Sequence, residues 1–245
     1  MKVSDLRIGA KVVLGSCYGS DIVWCKVSDN CDFISQRRVC RICFDGAEHR
    51  SDSRARRSHG NGFYPDSNIH QWLNAAGLDW YRKSHEFDES PYYRNEPGFL
   101  TEFSSAERDA LVPMELTVAV PLGSRKKYGR TFNMSALVTL PSASQCGYGE
   151  TEILCEGSEL PEISNVLNGW NATLTRTGVK DGGHVVRSGS GWVDIICADD
   201  SSDIYPFIRI NPETVINDTP DMDGVYWTNL ADTESAEAFL SFISN

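Results

Sequence analysis

A stretch late in the chain, residues 178–205, collects side chains that could bind a polar ligand. Sugar sites combine an aromatic surface with a few placed polar groups that bind hydroxyls. Trp192 could supply that surface, and Asp199, Asp200 and Asp203 the oxygen atoms. The same pattern also fits a core tryptophan followed by a solvated acidic turn, and both interpretations remain open. The candidate ligand-binding residues are Arg187, Trp192, Asp199, Asp200, Asp203 and Tyr205.

Two features of the sequence raise the question of a metal ion. The acidic turn at residues 199–203 offers oxygen donors to calcium, but it lacks the glycine and the spacing of an EF-hand loop. Cys40 and Cys43 have zinc-knuckle spacing, although no second close pair follows them. Their segment also has the pattern of a strand in which cysteine replaces valine. No cofactor is predicted, and calcium at the turn and zinc at the two cysteines remain alternatives.

The common catalytic motifs are absent from this sequence. It contains no phosphate-binding glycine loop, no dinucleotide fingerprint, no HExxH zinc motif and no G-x-S-x-G elbow. Its five histidines have no evident partner in sequence, although a triad assembled in space would leave no such trace. The sequence therefore predicts a binding or structural protein and not an enzyme.

The charge balance argues against a polyanionic partner. There are 23 basic and 34 acidic residues, so the net charge is 23 − 34 = −11, and nucleic acid would be repelled on average. No stretch of about 18 apolar residues occurs, and residues 1–15 lack the apolar region of a signal peptide. We expect no nucleic-acid partner, no membrane insertion and synthesis in the cytoplasm without a signal peptide.

Hydrophobic periodicity predicts a mixed fold that begins with an antiparallel sheet. Alternating residues indicate strands at 11–14 and 21–27, and one or two strands within 33–44. The polar residues 45–62 are expected to form a long surface loop whose arginines pair with nearby acids, with a basic docking patch as the alternative. A late β-hairpin is predicted, with strands at 192–198 and 204–210 joined by the acidic turn.

Helices are predicted where apolar residues recur every three or four positions. The first begins after Ser67 and ends at Gly77, with Trp72 as a core anchor. A second begins at Ser104, which has capping-box spacing to Glu107. Further predicted elements are strands at 116–121 and 134–140 and a helix at 161–170.

The end of the chain has a different character. Residues 217–223 contain proline and aspartate and are expected to be a linker, and apolar residues 236–243 form a helical stripe. Such a helix packs on its own domain or on a neighbouring subunit. The predicted division is a domain at 1–216, followed by a linker and an amphipathic helix at 217–245.

Two segments resemble the signature of an uncharacterised domain family of Firmicutes and their phages. Residues 61–64 (Asn-Gly-Phe-Tyr) and 67–74 (Ser-Asn-Ile-His-Gln-Trp-Leu-Asn) match it, with His70 where arginine is usual. Residues 174–177 (Leu-Thr-Arg-Thr) look like a later family segment, and residues 208–212 look like a divergent form of another. The resemblance covers residues 5–216.

The resemblance implies an α+β, C-type-lectin-like domain with antiparallel sheets and short helices. It implies a phage virion protein, in the tail or on the surface, that binds host-surface glycans and oligomerises with other virion proteins. A structural virion component, such as a capsid decoration or tail protein, is the alternative. A remote alternative is an enzyme of the formylglycine-generating type, with Cys146, Cys155 or Cys197 as its nucleophile.

Overall fold

The structure is a computed structural model that describes residues 1–120, 131–148, 158–168, 171–179, 181–189 and 191–230. The strands in these ranges are β1 (Lys11–Cys17), β2 (Ser20–Lys26), β3 (Asp32–Ser35), β4 (Cys40–Cys43), β5 (Met114–Ala119), β6 (Thr131–Ala136), β7 (Val138–Thr139), β8 (Ala172–Gly178), β9 (His184–Gly189), β10 (Trp192–Cys197), β11 (Ser201–Ile204), β12 (Phe207–Arg209) and β13 (Val225–Trp227). The helices are α1 (Arg54–His59), α2 (Asn68–Leu73), α3 (Ser105–Asp109) and α4 (Pro161–Val166), with 3-10 turns at Val3–Asp5, Tyr64–Asp66 and Phe99–Glu102.

The strands of the described ranges form one larger sheet and three smaller ones. The larger sheet has the order β13-β1-β2-β3-β12-β7, in which only the β13–β1 pair is parallel. The smaller sheets are β10-β9-β8, β11-β4 and β5-β6, all antiparallel. Short helices beside mostly antiparallel sheets make an α+β domain, so the predicted fold class is confirmed.

Local sequence signals set the helix boundaries where the patterns were clearest. The Ser67 hydroxyl accepts the His70 N–H at the start of α2, and Ser104 with Glu107 forms the expected capping box on α3. Trp72 is buried, as predicted. Helix α2 ends earlier than expected, at Leu73, because the Asn74 side chain bonds to another part of the fold.

The predicted late hairpin is wrong. Strand β10 pairs with β9, whereas β11 pairs with β4 and β12 pairs with β3 and β7. Residues 198–200 therefore carry the chain from β10 in one sheet to β11 in another, and residues 199–203 do not close a hairpin. Strand order depends on partners far away in sequence, which alternation does not specify.

Two other segments differ from their predictions. Residues 45–62 contain helix α1, which the Ser53 hydroxyl caps by accepting the Arg56 N–H. The expected local ion pairing is present, since Arg56 lies 2.7 Å from Glu48. Residues 225–227 form β13 in the larger sheet, so the sheet continues beyond the predicted boundary at residue 216. The predicted helix at 236–243 lies outside the described residues.

Candidate functional site

The sheet of β8, β9 and β10 carries most of the predicted ligand-binding segment. Its register pairs Trp192 with Gly189, Asp194 with Arg187, and Cys197 with His184. Side chains alternate between the faces of a strand, so Trp192, Asp194 and Arg187 share one face. Cys197 and His184 share the opposite face, and β10 therefore contributes to two separate surfaces.

A surface pocket on the first face brings three of the six predicted residues together. It has a volume of about 570 Å³ and contains Arg187, Trp192 and Asp203. Arg41, Ala172 and Ser202 complete its wall. The β4–β11 pairing, in which Arg41 faces Asp203, supplies the parts that lie far apart in sequence.

Trp192 is partly exposed and held from two sides. A Cβ atom on Gly189 would lie 2.5 Å from the indole, so only glycine permits this position. The Arg187 guanidinium carbon lies 5.5 Å from the ring centroid, and the guanidinium also pairs with Asp194 at 2.9 Å. Trp192 Nε1 and Arg187 Nε are buried without a hydrogen-bond partner among the described residues.

The charged groups of the pocket differ in how fully they are paired. Asp203 accepts a 3.2 Å hydrogen bond from Arg38, which is mostly exposed. Arg41 is exposed, and within the described ranges its guanidinium makes only a 3.5 Å bond to the Ser201 carbonyl. The pocket therefore offers one largely unpaired cation next to a carboxylate and an aromatic ring.

A larger surface pocket, of about 630 Å³, lies beside β1 and β2. Tyr18, Asp21, Arg37 and Arg38 line part of it. None of its described side chains has a buried polar atom without a partner. We therefore favour the Trp192 pocket as the ligand site.

Three predicted site residues lie outside the Trp192 pocket. Tyr205 is only 3% exposed and does not line this pocket. The residue follows β11 and is drawn into the core, where its N–H bonds to the Thr173 hydroxyl. Asp199 and Asp200 lie on the other side of the sheet with the Cys197 thiol, away from Asp203.

The three aspartates of the predicted turn do not form one group, because Asp203 lines the Trp192 pocket whereas Asp199 and Asp200 lie beside Cys197. Calcium takes six to eight oxygen ligands, whereas the group at the turn consists of two carboxylates and the Cys197 thiol, within 4.8 Å of one another. A different cluster was missed by sequence reasoning. Ligand atoms of His59, His184 and Cys197 all lie within 4.8 Å of one another. These residues come from α1, β9 and β10, and no spacing in the sequence connects them.

Burial favours the protonated thiol at three of the described cysteines, Cys43, Cys146 and Cys197. Burial raises the pKa of Cys43 and of Cys146 to about 12. Burial and the carboxylates of Asp199 and Asp200 also raise the pKa of Cys197. Thiolates are the nucleophiles, so these values disfavour a catalytic cysteine. Cys155, the third candidate, lies outside the described residues.

Cys40 and Cys43 lie in strand β4, as expected if cysteine replaces valine in a strand. Side chains three positions apart on a strand point to opposite faces. Neither cysteine belongs to a group of three potential metal ligands within the described ranges. The zinc-knuckle alternative is therefore not supported.

Residues 67–74, which carry the family resemblance, make contacts that connect parts of the fold. The Asn68 side chain accepts the Gly46 N–H and donates to Asp88, and all three residues are interior or partly buried. The Asn74 amide donates to the Val138 carbonyl at 2.8 Å. Burial lowers the pKa of His70 to about 4, so its ring stays neutral in the folded chain. This segment holds the domain together and does not line the pocket.

The fold thus defines an α+β domain with a surface pocket of polar and aromatic side chains. The chain belongs to the family described as "Domain of unknown function (DUF6273)", whose model matches residues 33–201. The matched region contains β4 to β10, all of β3 except Asp32, and all the residues of the Trp192 pocket except Ser202 and Asp203. No curated protein and no solved structure matches the chain.

The described helices give no sign of a membrane span. None of those within the described ranges is both long enough and apolar enough to cross a bilayer.

Proposed function

We propose that this chain is a glycan-binding module of a phage virion, in the tail or on the surface, that recognises the host cell surface. It acts by binding and not by catalysis, without a cofactor at the glycan site. The assignment to a virion and the C-type-lectin-like character are what the resemblance of residues 61–74 implies. The observation that carries the binding role is the pocket that joins Trp192, Arg187, Arg41 and Asp203.

The composition of the pocket suits a saccharide that carries an acidic group. Trp192 and the guanidinium over it present a planar surface for the apolar side of a sugar ring. Asp203 and Ser202 supply oxygen atoms for hydroxyl groups. Arg41, which is almost unpaired, is suited to bind a carboxylate or phosphate on the ligand.

A glycan array and a whole-cell binding assay test this proposal with the full chain. Trp192→Ala and Arg41→Ala should each weaken binding at least tenfold, which corresponds to about 1.4 kcal/mol. Trp227→Ala is the matched control, because Trp227 is 43% exposed and lies outside the pocket. Circular dichroism should show that all three variants keep the fold.

The outcomes separate clearly. Binding to acidic glycans that depends on Trp192 and Arg41, but not on Trp227, supports the proposal. Binding that Asp203→Asn and Trp192→Ala leave unchanged would contradict it, as would the absence of any glycan or cell binding.

One observation favours the second candidate function, a structural virion component. Val193 and Ile195 on β10 are 39% and 50% exposed, and among the described strands β10 pairs only with β9. An open strand edge with apolar side chains can pair with a neighbouring virion subunit. Size-exclusion chromatography would then show oligomers that the double variant Val193→Ser, Ile195→Ser dissociates, with glycan binding absent.

A further inference from the structure

Three potential metal ligands from separate elements converge on the face of the β9–β10 sheet opposite the Trp192 pocket. One ring nitrogen of His59, one ring nitrogen of His184 and the Cys197 sulfur all lie within 4.8 Å of one another. The two imidazole centroids are 4.6 Å apart. All three side chains are partly exposed, so an ion could reach them from solvent.

The backbone fixes two of these ligands opposite each other. His184 and Cys197 are register partners at the end of the antiparallel β9–β10 pair. Side chains at such positions lie about 5 Å apart on the same face, which is the spacing that two ligands of one ion require. The Ala198 N–H also donates to the Gly183 carbonyl at 3.1 Å, which closes the end of the ladder.

Close backbone contacts bring the third ligand to this pair. His59 is the last residue of α1, and its carbonyl accepts the Asp199 N–H at 3.0 Å. A Cβ atom on Gly62 would lie 2.5 Å from the His184 carbonyl oxygen, so only glycine allows the chain after α1 to pass this close. A Cβ atom on Gly183 would likewise lie 2.8 Å from the backbone of Ala55 in α1.

The orientation of His184 is set by a carboxylate, as in many metal sites. Its Nδ1 lies 2.6 Å from an Asp181 oxygen, and the His184 N–H bonds to the other oxygen of that carboxylate at 3.2 Å. A carboxylate on one ring nitrogen leaves the other nitrogen free as the metal ligand and fixes the tautomer.

We propose that His59, His184 and Cys197 bind a divalent transition-metal ion of the zinc class, with Asp181 as the residue that positions His184. Two imidazoles and a thiolate are the donors that zinc prefers over calcium or magnesium. Oxygen atoms of Asp199 and Asp200 lie within 4.8 Å of the Cys197 sulfur. One of these carboxylates or a water molecule fills the fourth position of a tetrahedral ion.

The ion joins the end of α1 to the β9–β10 sheet. Metal binding there stabilises the folded chain, because the unfolded chain does not hold the three ligands together. The site is independent of the proposed glycan function, since it lies on the other face of the sheet and shares no residue with the pocket.

Cobalt titration of the full, EDTA-stripped and desalted chain tests the site directly. One equivalent of Co²⁺ should produce a thiolate-to-cobalt charge-transfer band and intense tetrahedral d–d bands, and Zn²⁺ should displace it. Cys197→Ser should abolish the charge-transfer band. Cys40→Ser is the matched control, because Cys40 is also partly buried but lies outside the cluster, and it should keep the band.

The histidine and aspartate variants test the remaining roles. His184→Ala and His59→Ala should each lower Zn²⁺ affinity at least tenfold, and Asp181→Asn should lower it roughly 10- to 100-fold. Zn²⁺ should raise the Tm of the wild type and not that of Cys197→Ser. If a histidine variant fails to fold by circular dichroism, Cys197→Ser and Asp181→Asn decide the question.

Absence of a charge-transfer band in the folded wild type overturns the proposal. A band that Cys197→Ser retains, or that Cys40→Ser abolishes, overturns it as well. Zn²⁺ binding with an affinity that Asp181→Asn leaves unchanged would refute the positioning role of Asp181.

Discussion

Replacing Asn74 with alanine tests the claim that residues 67–74 are structural. The Asn74 amide donates to the carbonyls of His70 and Val138 at 2.9 and 2.8 Å, and its oxygen accepts the N–H groups of Leu137 and Val138, both at 3.0 Å. It therefore joins the end of α2 to β7. Each such bond contributes about 1 kcal/mol net, and the backbone groups left behind are partly shielded from water.

We expect Asn74→Ala to lower the free energy of unfolding by about 3 kcal/mol. For a chain of this size the Tm should fall by roughly 6–12 °C. Urea unfolding followed by circular dichroism measures the change, with the exposed Asn95→Ala as a control that should stay within about 0.5 kcal/mol of wild type. A loss below about 1 kcal/mol for Asn74→Ala would refute this reasoning.

Two further predictions concern buried contacts of the same domain. Unfolded His70 takes up a proton near pH 6.5, whereas burial keeps the folded ring neutral down to about pH 4, where its pKa lies. The contribution of neutral His70 to the free energy of unfolding should therefore be fully present above pH 6.5 and fall by roughly 2–3 kcal/mol by pH 4.5. His70→Gln should remove that part of the pH dependence in urea unfolding. A pH profile that the variant leaves unchanged would contradict this prediction. Gly62→Ala should cost about 1–3 kcal/mol, because the new Cβ would lie 2.5 Å from the His184 carbonyl oxygen; a wild-type Tm would show that the backbone adjusts freely.

Elements with strong local signals could be predicted from the sequence. Alternation located β1, β2 and β10, and side-chain caps located α2 and α3, because these features depend on neighbours within a few residues. Helix α1 was missed, since its polar and basic residues have no apolar stripe. The false hairpin shows the limit of alternation, which identifies a strand but not its partner.

The candidate sites show the same limit. Trp192, Arg187 and Asp203 were identified because their types suit a polar ligand, but Arg41 joins them only through the β4–β11 pairing. Tyr205 has a suitable side chain for a sugar site, and only packing shows that it is buried. The cluster of His59, His184 and Cys197 needs three elements to meet, so no spacing in the sequence indicates it.

The most direct test of the proposed function is the indole N–H signal of Trp192 in a ¹H–¹⁵N spectrum, assigned with Trp192→Phe. The group has no hydrogen-bond partner among the described residues, so a ligand in the pocket should change its environment. During titration with a panel of bacterial cell-wall glycans, we predict a saturable shift of the Trp192 signal, with the Trp227 signal unchanged. No shift of Trp192 with any of these glycans, or an equal shift of both signals, would contradict the assignment of this pocket as the glycan site.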